Sequence, residues 1–160
     1  MGSEGLILVK ALIALMPGAW LALGALDNIL HPAINRDDVA RVLALEALNE
    51  YPEIKARLNH RAITDQRVVW RLFAGLVAAE TVASLLLLAG SVGLALSLLG
   101  LVPVELALAV AIAGATAFTG VWASMLVGGQ WFYYWYGVFG QGTHFLATLW
   151  GLGTLLVLLN

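Results

Sequence analysis

Four long apolar stretches, separated by one polar segment and two short connections, constrain this chain more than any other feature. Roughly 20 helical residues at about 1.5 Å each are needed to cross about 30 Å of hydrocarbon. The stretches run from about Leu6 to Leu26, Val68 to Gly90, Val102 to Val127 and His144 to Leu159. A chain in hydrocarbon must satisfy its own backbone, which leaves helices as the economical way to span. The expected fold is therefore all-α, an integral membrane bundle of four transmembrane helices with short amphipathic helices in its first loop. All 160 residues are expected to form a single membrane domain in the lipid bilayer.

Composition agrees with this reading. Hydrophobic residues make up 61% of the chain, charged residues 11%, and the mean hydropathy is +0.90, outside the range of a soluble domain. The first stretch is read as a retained span, because no basic run precedes it and no small-x-small cleavage site follows it. The sequence "SVGLALSLLGLVP" stays apolar past Gly90, so the second helix overruns the bilayer or turns at Gly100 and Pro103.

The polar segment, residues 27–67, carries six of the eight basic and seven of the ten acidic residues. It reads as folded and lying on the membrane surface. Asn35 before Arg36-Asp37-Asp38 is placed as an N-cap, with Val39, Val42, Leu43 and Ala47 following at helical spacing. Pro52 opens the short helix "PEIKARLN", and Thr64-Asp65-Gln66-Arg67 caps the second span. A net charge of −2 provides no basic footprint, so nucleic acid is excluded as a partner. With no cysteine there is no disulfide, thiolate nucleophile or cysteine metal site. No P-loop, dinucleotide fingerprint or hydrolase triad is present, and enzymatic activity is not expected.

Four spans place the first loop and an aromatic loop, residues 128–143, on the same side of the membrane. Eight of the fifteen aromatic residues fall between Trp131 and Phe145, with no charge among them. Such rings anchor at the lipid–water boundary. Gly128-Gly129 before them and "GQGTHF" after them favour a re-entrant or capping loop packed over the first loop. His31, His60 and His144 share this side. A three-nitrogen metal site or an axial haem ligand is their minor reading, because none belongs to a spaced pair; no cofactor is expected.

Within the spans, Glu80 lies nine residues beyond Arg71, about 13 Å deeper and near mid-membrane. A carboxyl there must face the bundle, be protonated or meet a donor, for which Thr81, Ser84 and neighbouring tryptophans are candidates. It is either a proton or cation site or an interhelical contact. Lys10 is expected to snorkel to the interface, and Glu105 to sit at the start of the third span. Small residues form ridges for helix packing: Ala109, Ala113 and Ala117; Thr116, Gly120, Ser124 and Gly128; Gly75, Ala79 and Ala83.

A family resemblance follows from an ordered set of landmarks. Asn28 and Asn35 come after the first span, "RAIT" occupies Arg61 to Thr64, and Glu80 lies within the second span. "GGQWFYYW" closes the third span and "GQGTHF" precedes the fourth. Together they resemble the bacterial small integral membrane proteins of domain-of-unknown-function family 2165 over nearly the whole chain. Gly128, Gly129, Trp131, Phe132, Trp135, Gly140, Gln141 and Phe145 match that pattern. Gln130 replaces its usual glutamate, Tyr134 its methionine, and Leu146 its arginine; "RVLALE", Arg41 to Glu46, replaces a histidine-containing stretch. Roles of that acid or that histidine do not carry over. The resemblance implies the bacterial inner membrane, a multi-pass topology with the N-terminus cytoplasmic, and the motif-bearing side outside. A literal count of basic residues in the first loop points the other way, although acids nearly balance them. No activity is implied.

Two functions fit these residues. In the first, the chain is a non-catalytic accessory or scaffolding subunit of a larger inner-membrane complex, or a homo-oligomer, with no buried polar cavity. In the second it binds or transports a small ligand, a lipid, quinone or ion, in a pocket under the aromatic loop. The candidate ligand or partner contacts are Asn28, Arg61, Glu80, Trp131, Tyr133, Trp135 and Gln141.

Overall fold

The structure is a computed structural model describing residues 2–134 and 138–160, with Val138 and Phe139 described by their backbone alone. Among the described residues six α-helices appear in chain order: α1 Ser3–Leu30, α2 Ala33–Leu43, α3 Pro52–Leu58, α4 Gln66–Ser97, α5 Val104–Trp131 and α6 Val138–Leu159. Helices α1, α4, α5 and α6 have spans long and apolar enough to cross a membrane.

The four long helices alternate in direction. Ser91 Oγ of α4 donates to the Ala11 carbonyl of α1 at 2.8 Å, while Asn28 near the end of α1 meets Glu80 earlier in α4. Gly90 and Gly114 lie against Ala111 and Leu87 respectively, which sets α4 antiparallel to α5. Trp20 of α1, Phe118 and Trp122 of α5 and Trp150 of α6 form an aromatic cluster with centroid separations of 5.3–6.3 Å, closing the fourth side of the bundle.

Small residues sit at the close helix contacts, beside buried Leu21, Leu87, Leu94 and Phe118, and large apolar residues dominate the exterior. Ala14, Ala83, Ala111 and Ala115 have no exposed surface, whereas Leu23, Leu85, Leu106 and Leu156 are largely exposed. That inversion is what lipid requires, since lipid solvates leucine as well as protein does and close backbone approach holds helices together. The seam between α4 and α5 uses Ala83, Leu87, Gly90 and Leu94 against Ala107, Ala111, Gly114 and Ala115. This corrects the expected ridges. Ala109, Ala113, Thr116 and Gly120 face outward, as do Gly75 and Ala79, while Ser124 and Gly128 border a cavity at the loop end, leaving Ala83 as the ridge residue used with half-buried Ala117. Small residues occur on more than one face of α5, and spacing alone does not say which face meets α4.

Two further positions differ from expectation. Lys10 does not snorkel. It is 9% exposed, and its Nζ donates to the Leu158 carbonyl at 3.1 Å, at the C-terminal end of α6 where carbonyls lack helical donors. Asn35 is not a cap either: α2 begins two residues earlier, after Pro32, and the Asn35 side chain bonds elsewhere. The Asp65 cap does form, with its Oδ1 accepting from the Arg67 backbone N–H at 2.7 Å. Pro52 starts α3, and α4 runs on to Ser97 before the chain turns through Gly100, at φ +71°, into Pro103. The first loop is folded down by Leu43, Leu45 and Leu48, all buried, and by the Ile63 N–H bonded to the Leu43 carbonyl at 2.9 Å.

Candidate functional site

A partly open cavity of about 800 Å³ lies within the end of the bundle that carries the first loop. All four long helices line it, α2 covers it, and Phe132 and Tyr134 complete its wall. At 32 residues, α4 is about 48 Å long, more than a bilayer's hydrocarbon needs, so its first turns extend alongside α2. Arg36 of α2 stacks over Trp70 of α4, 5.6 Å from the ring centroid.

Glu80 is the deepest charged group of the lining. It is 4% exposed, and its Oε2 accepts from Asn28 Nδ2 at 2.9 Å. The Asn28 side-chain carbonyl in turn accepts from Asn35 Nδ2, giving a short relay from α2 through α1 to α4. Thr81 and Ser84, the donors expected for Glu80, bond instead to carbonyls of their own helix, those of Val77 and Thr81. The pairing of Gly90 with Ala111 and of Leu87 with Gly114 sets Glu80 about level with Val121, roughly one helical turn to the loop side of the middle of α5. The carboxyl thus lies within about one turn of the middle of α5, on its loop side.

The opposite wall is aromatic. The His144 ring lies between Trp122 and Tyr134, with centroid separations of 5.1 and 5.3 Å. Trp122 Nε1 and His144 Nδ1 are buried without a hydrogen-bond partner among the described residues. Asp27 and Asp38 join Glu80 in the lining, and no lysine or arginine does so among the described residues.

Tyr134 reaches the cavity because of its glycine neighbours. Helix α5 carries through Gly128-Gly129 to Trp131, and Tyr133 takes a left-handed φ of +58°. A methyl group on Gly129 would stand 2.6 Å from Tyr134 Cδ1, and one on Gly140 would run into the phenol. The two glycines form the slot that seats the ring. Helix α5 runs to Trp131 and α6 begins at Val138, so both ends of the aromatic loop expected at 128–143 are helical.

Burial, and secondarily the charge of Asp38, pushes the Tyr134 phenol above tyrosine's usual value of about 10. A raised folded-state value means the unfolded chain releases the proton first. Stability from this group is complete below about pH 10 and is lost as pH climbs through the folded value. Wild type is expected to lose melting temperature more steeply than Tyr134→Phe across that alkaline range, measured by parallel thermal melts in detergent.

Of the expected contacts, Asn28 and Glu80 come together at this cavity. Arg61, Trp131 and Tyr133 line a separate depression of about 480 Å³. There the Arg61 guanidinium stacks on Trp131, 4.1 Å from the ring centroid, with Nη1 3.5 Å from that residue's carbonyl. Gln141 lines neither space, and Trp135 lies outside the described residues. His31 and His60 are exposed and His144 lines the cavity; among the described residues no group of three potential ligands stands close enough to hold a metal. Sequence reasoning passed over Trp20, Trp122, Asp27, Asp38 and Tyr134 as lining residues. The first two carried a signal: a tryptophan deep within a span brings an indole N–H that lipid does not satisfy.

No curated protein and no solved structure matches this chain. A family model described as predicted small integral membrane protein (DUF2165) matches residues 6–160, and the chain belongs to that family of integral membrane proteins.

Proposed function

We propose that this chain is a small-ligand-binding protein of the bacterial inner membrane, with its ligand seated between the Glu80 relay and the Trp122–His144–Tyr134 wall. The observation that carries this reading is the cavity. Its volume of about 800 Å³ lies within the range of small-molecule sites, and its mostly apolar wall holds a few converging polar groups. Binding is favoured over transport, because one small bundle lacks the paired halves common in secondary transporters.

Filling the cavity is the direct test. Gly24 and Gly128 line it, and a Cβ at either meets nothing within 4 Å. Gly24→Leu combined with Gly128→Leu is expected to leave the fold intact, since leucine also favours helix. Mass spectrometry of protein purified in mild detergent is expected to find a co-purifying small molecule with wild type and to find it lost with the double variant. A molecule retained at the same stoichiometry would remove the cavity as its site.

The exposed small-residue face of α5, Ala109, Ala113, Thr116 and Gly120, supports a second reading as an accessory subunit or homo-oligomer. Its test is the size and protein composition of the same native preparation.

The N-terminus is proposed to be cytoplasmic, with α2 and α3 outside. The absence of cysteine makes labelling clean. In spheroplasts, Glu53→Cys is expected to react with a membrane-impermeant maleimide, and Glu105→Cys only after lysis. The reverse pattern would place the first loop in the cytoplasm, as its basic residues suggest.

A further inference from the structure

We infer that the ligand of this cavity is an organic cation, an ammonium nitrogen carried on an apolar body; this rests on the ligand-binding reading above and names its chemistry. Three observations converge on it. The first is charge. Glu80 lines the cavity, buried, and the hydrogen bond to its Oε2 comes from a neutral amide. No salt bridge to it exists among the described residues, and no lysine or arginine of those residues shares the lining. Asp27 and Asp38 add acidic groups, both exposed, with Asp38 also 3.3 Å from Arg41. An anionic ligand would meet three carboxyl groups, of which only the exposed Asp38 has a counter-charge, an arrangement that rejects it. An ammonium would supply the partner that the chain withholds.

The second is the wall. Trp20, Phe73, Trp122 and Tyr134 present aromatic rings around the same space. Aromatic faces attract a desolvated cation, and together with a carboxyl group they recognise an ammonium by both charge and shape. His144, the remaining titratable nitrogen in the lining, is stacked against Trp122 and Tyr134. The third is a contrast within the molecule. Outside the cavity two aromatic faces carry the chain's own cations, Arg61 on Trp131 and Arg36 on Trp70. Inside, the aromatic faces and the carboxyl stand together without one.

An ammonium on an apolar body describes both a small amphiphilic amine and the headgroup of an aminophospholipid, and the experiment separates them. Purified protein in an uncharged maltoside detergent is titrated with benzyltrimethylammonium, its uncharged carbon isostere neopentylbenzene, and benzenesulfonate. Tryptophan fluorescence reports binding, and protein-free micelles correct for partition. The cation is expected to saturate the signal at least about tenfold more tightly than the isostere, with benzenesulfonate not binding. Glu80→Gln is expected to weaken the cation by about tenfold or more and leave the isostere unchanged. Asp38→Asn, at an exposed position that does not threaten folding, is expected to weaken the cation by a smaller factor. Equal affinity for cation and isostere, or a cation unaffected by both substitutions, would overturn the charge assignment while leaving an apolar binding site in place. Saturation by none of the three would sink the ligand-binding reading together with it. Phosphatidylethanolamine retained through purification by wild type and lost from Glu80→Gln would name a lipid headgroup as the source; its absence beside a saturating cation would name a free amine.

Discussion

Gly90→Ala is expected to destabilise the bundle by about 1–3 kcal/mol, the usual cost of overpacking, and Gly75→Ala in the same helix to be neutral or slightly stabilising. The difference comes from what each new methyl would meet. At Gly90 it would lie 2.5 Å from both the backbone N and Cα of Ala111 and 2.7 Å from its Cβ, so α4 and α5 must separate. At Gly75 it would meet nothing within 4 Å. Because backbone atoms make two of the three contacts, Ala111→Gly is expected to restore only a small part of the loss. Gly114→Ala should behave like Gly90→Ala, since its methyl would stand 2.5 Å from the Leu87 backbone nitrogen. Thermal unfolding in a fixed detergent, with the four variants in parallel, measures these differences. Equal melting temperatures for Gly90→Ala and Gly75→Ala would refute the packing of this seam.

The same seam marks where sequence reading stops. Four apolar segments of spanning length are a one-dimensional signal, and so are the Pro52 start, the Asp65 cap and the turn at Gly100 and Pro103. Which face of α5 meets α4 is not, because Ala107–Ala111–Gly114 and Ala109–Ala113–Thr116 are equally good small-residue rows. Only the mutual fit of two helices chooses between them. The site divides along the same line. Asn28 and Glu80 stand out singly, as polar groups at or within apolar spans. Their contact depends on how α1 lies against α4, fixed by close approaches such as Gly18 to Leu87, where a Cβ would stand 2.8 Å from the leucine Cβ. Asn35 looked like a cap because its neighbours are acidic; a tertiary bond to Asn28 was the stronger use of its amide. The aromatic run was legible as a cluster, but not that Tyr134 would line the cavity while Trp131 and Tyr133 line the separate depression beside Arg61.

Asn28→Leu is expected to be the most damaging single change at the candidate site. It removes the donor to Glu80 Oε2 and the acceptor for Asn35 together, at a position 7% exposed. Depriving a buried polar group of its partner costs about 1–3 kcal/mol, more where the group is charged. Removing both partners is a different matter, because two apolar side chains leave no polar group to desolvate. The double variant Asn28→Leu with Glu80→Leu is therefore expected to recover most of the stability lost by Asn28→Leu alone. Asn35→Ala separates the relay's two links, since it keeps the Asn28–Glu80 bond and releases only α2. It is expected to leave the global stability within about 0.5 kcal/mol of wild type, as for other exposed substitutions. Limited proteolysis between Glu46 and Asp65 should nonetheless accelerate, because the cover over the cavity has lost its tie. If Asn35→Ala instead matched Asn28→Leu in the melt, the load would lie on α2 and not on the buried carboxyl. If the double variant gained nothing over Asn28→Leu, the two side chains would not be energetically coupled, and Glu80 would have to be held by something other than Asn28.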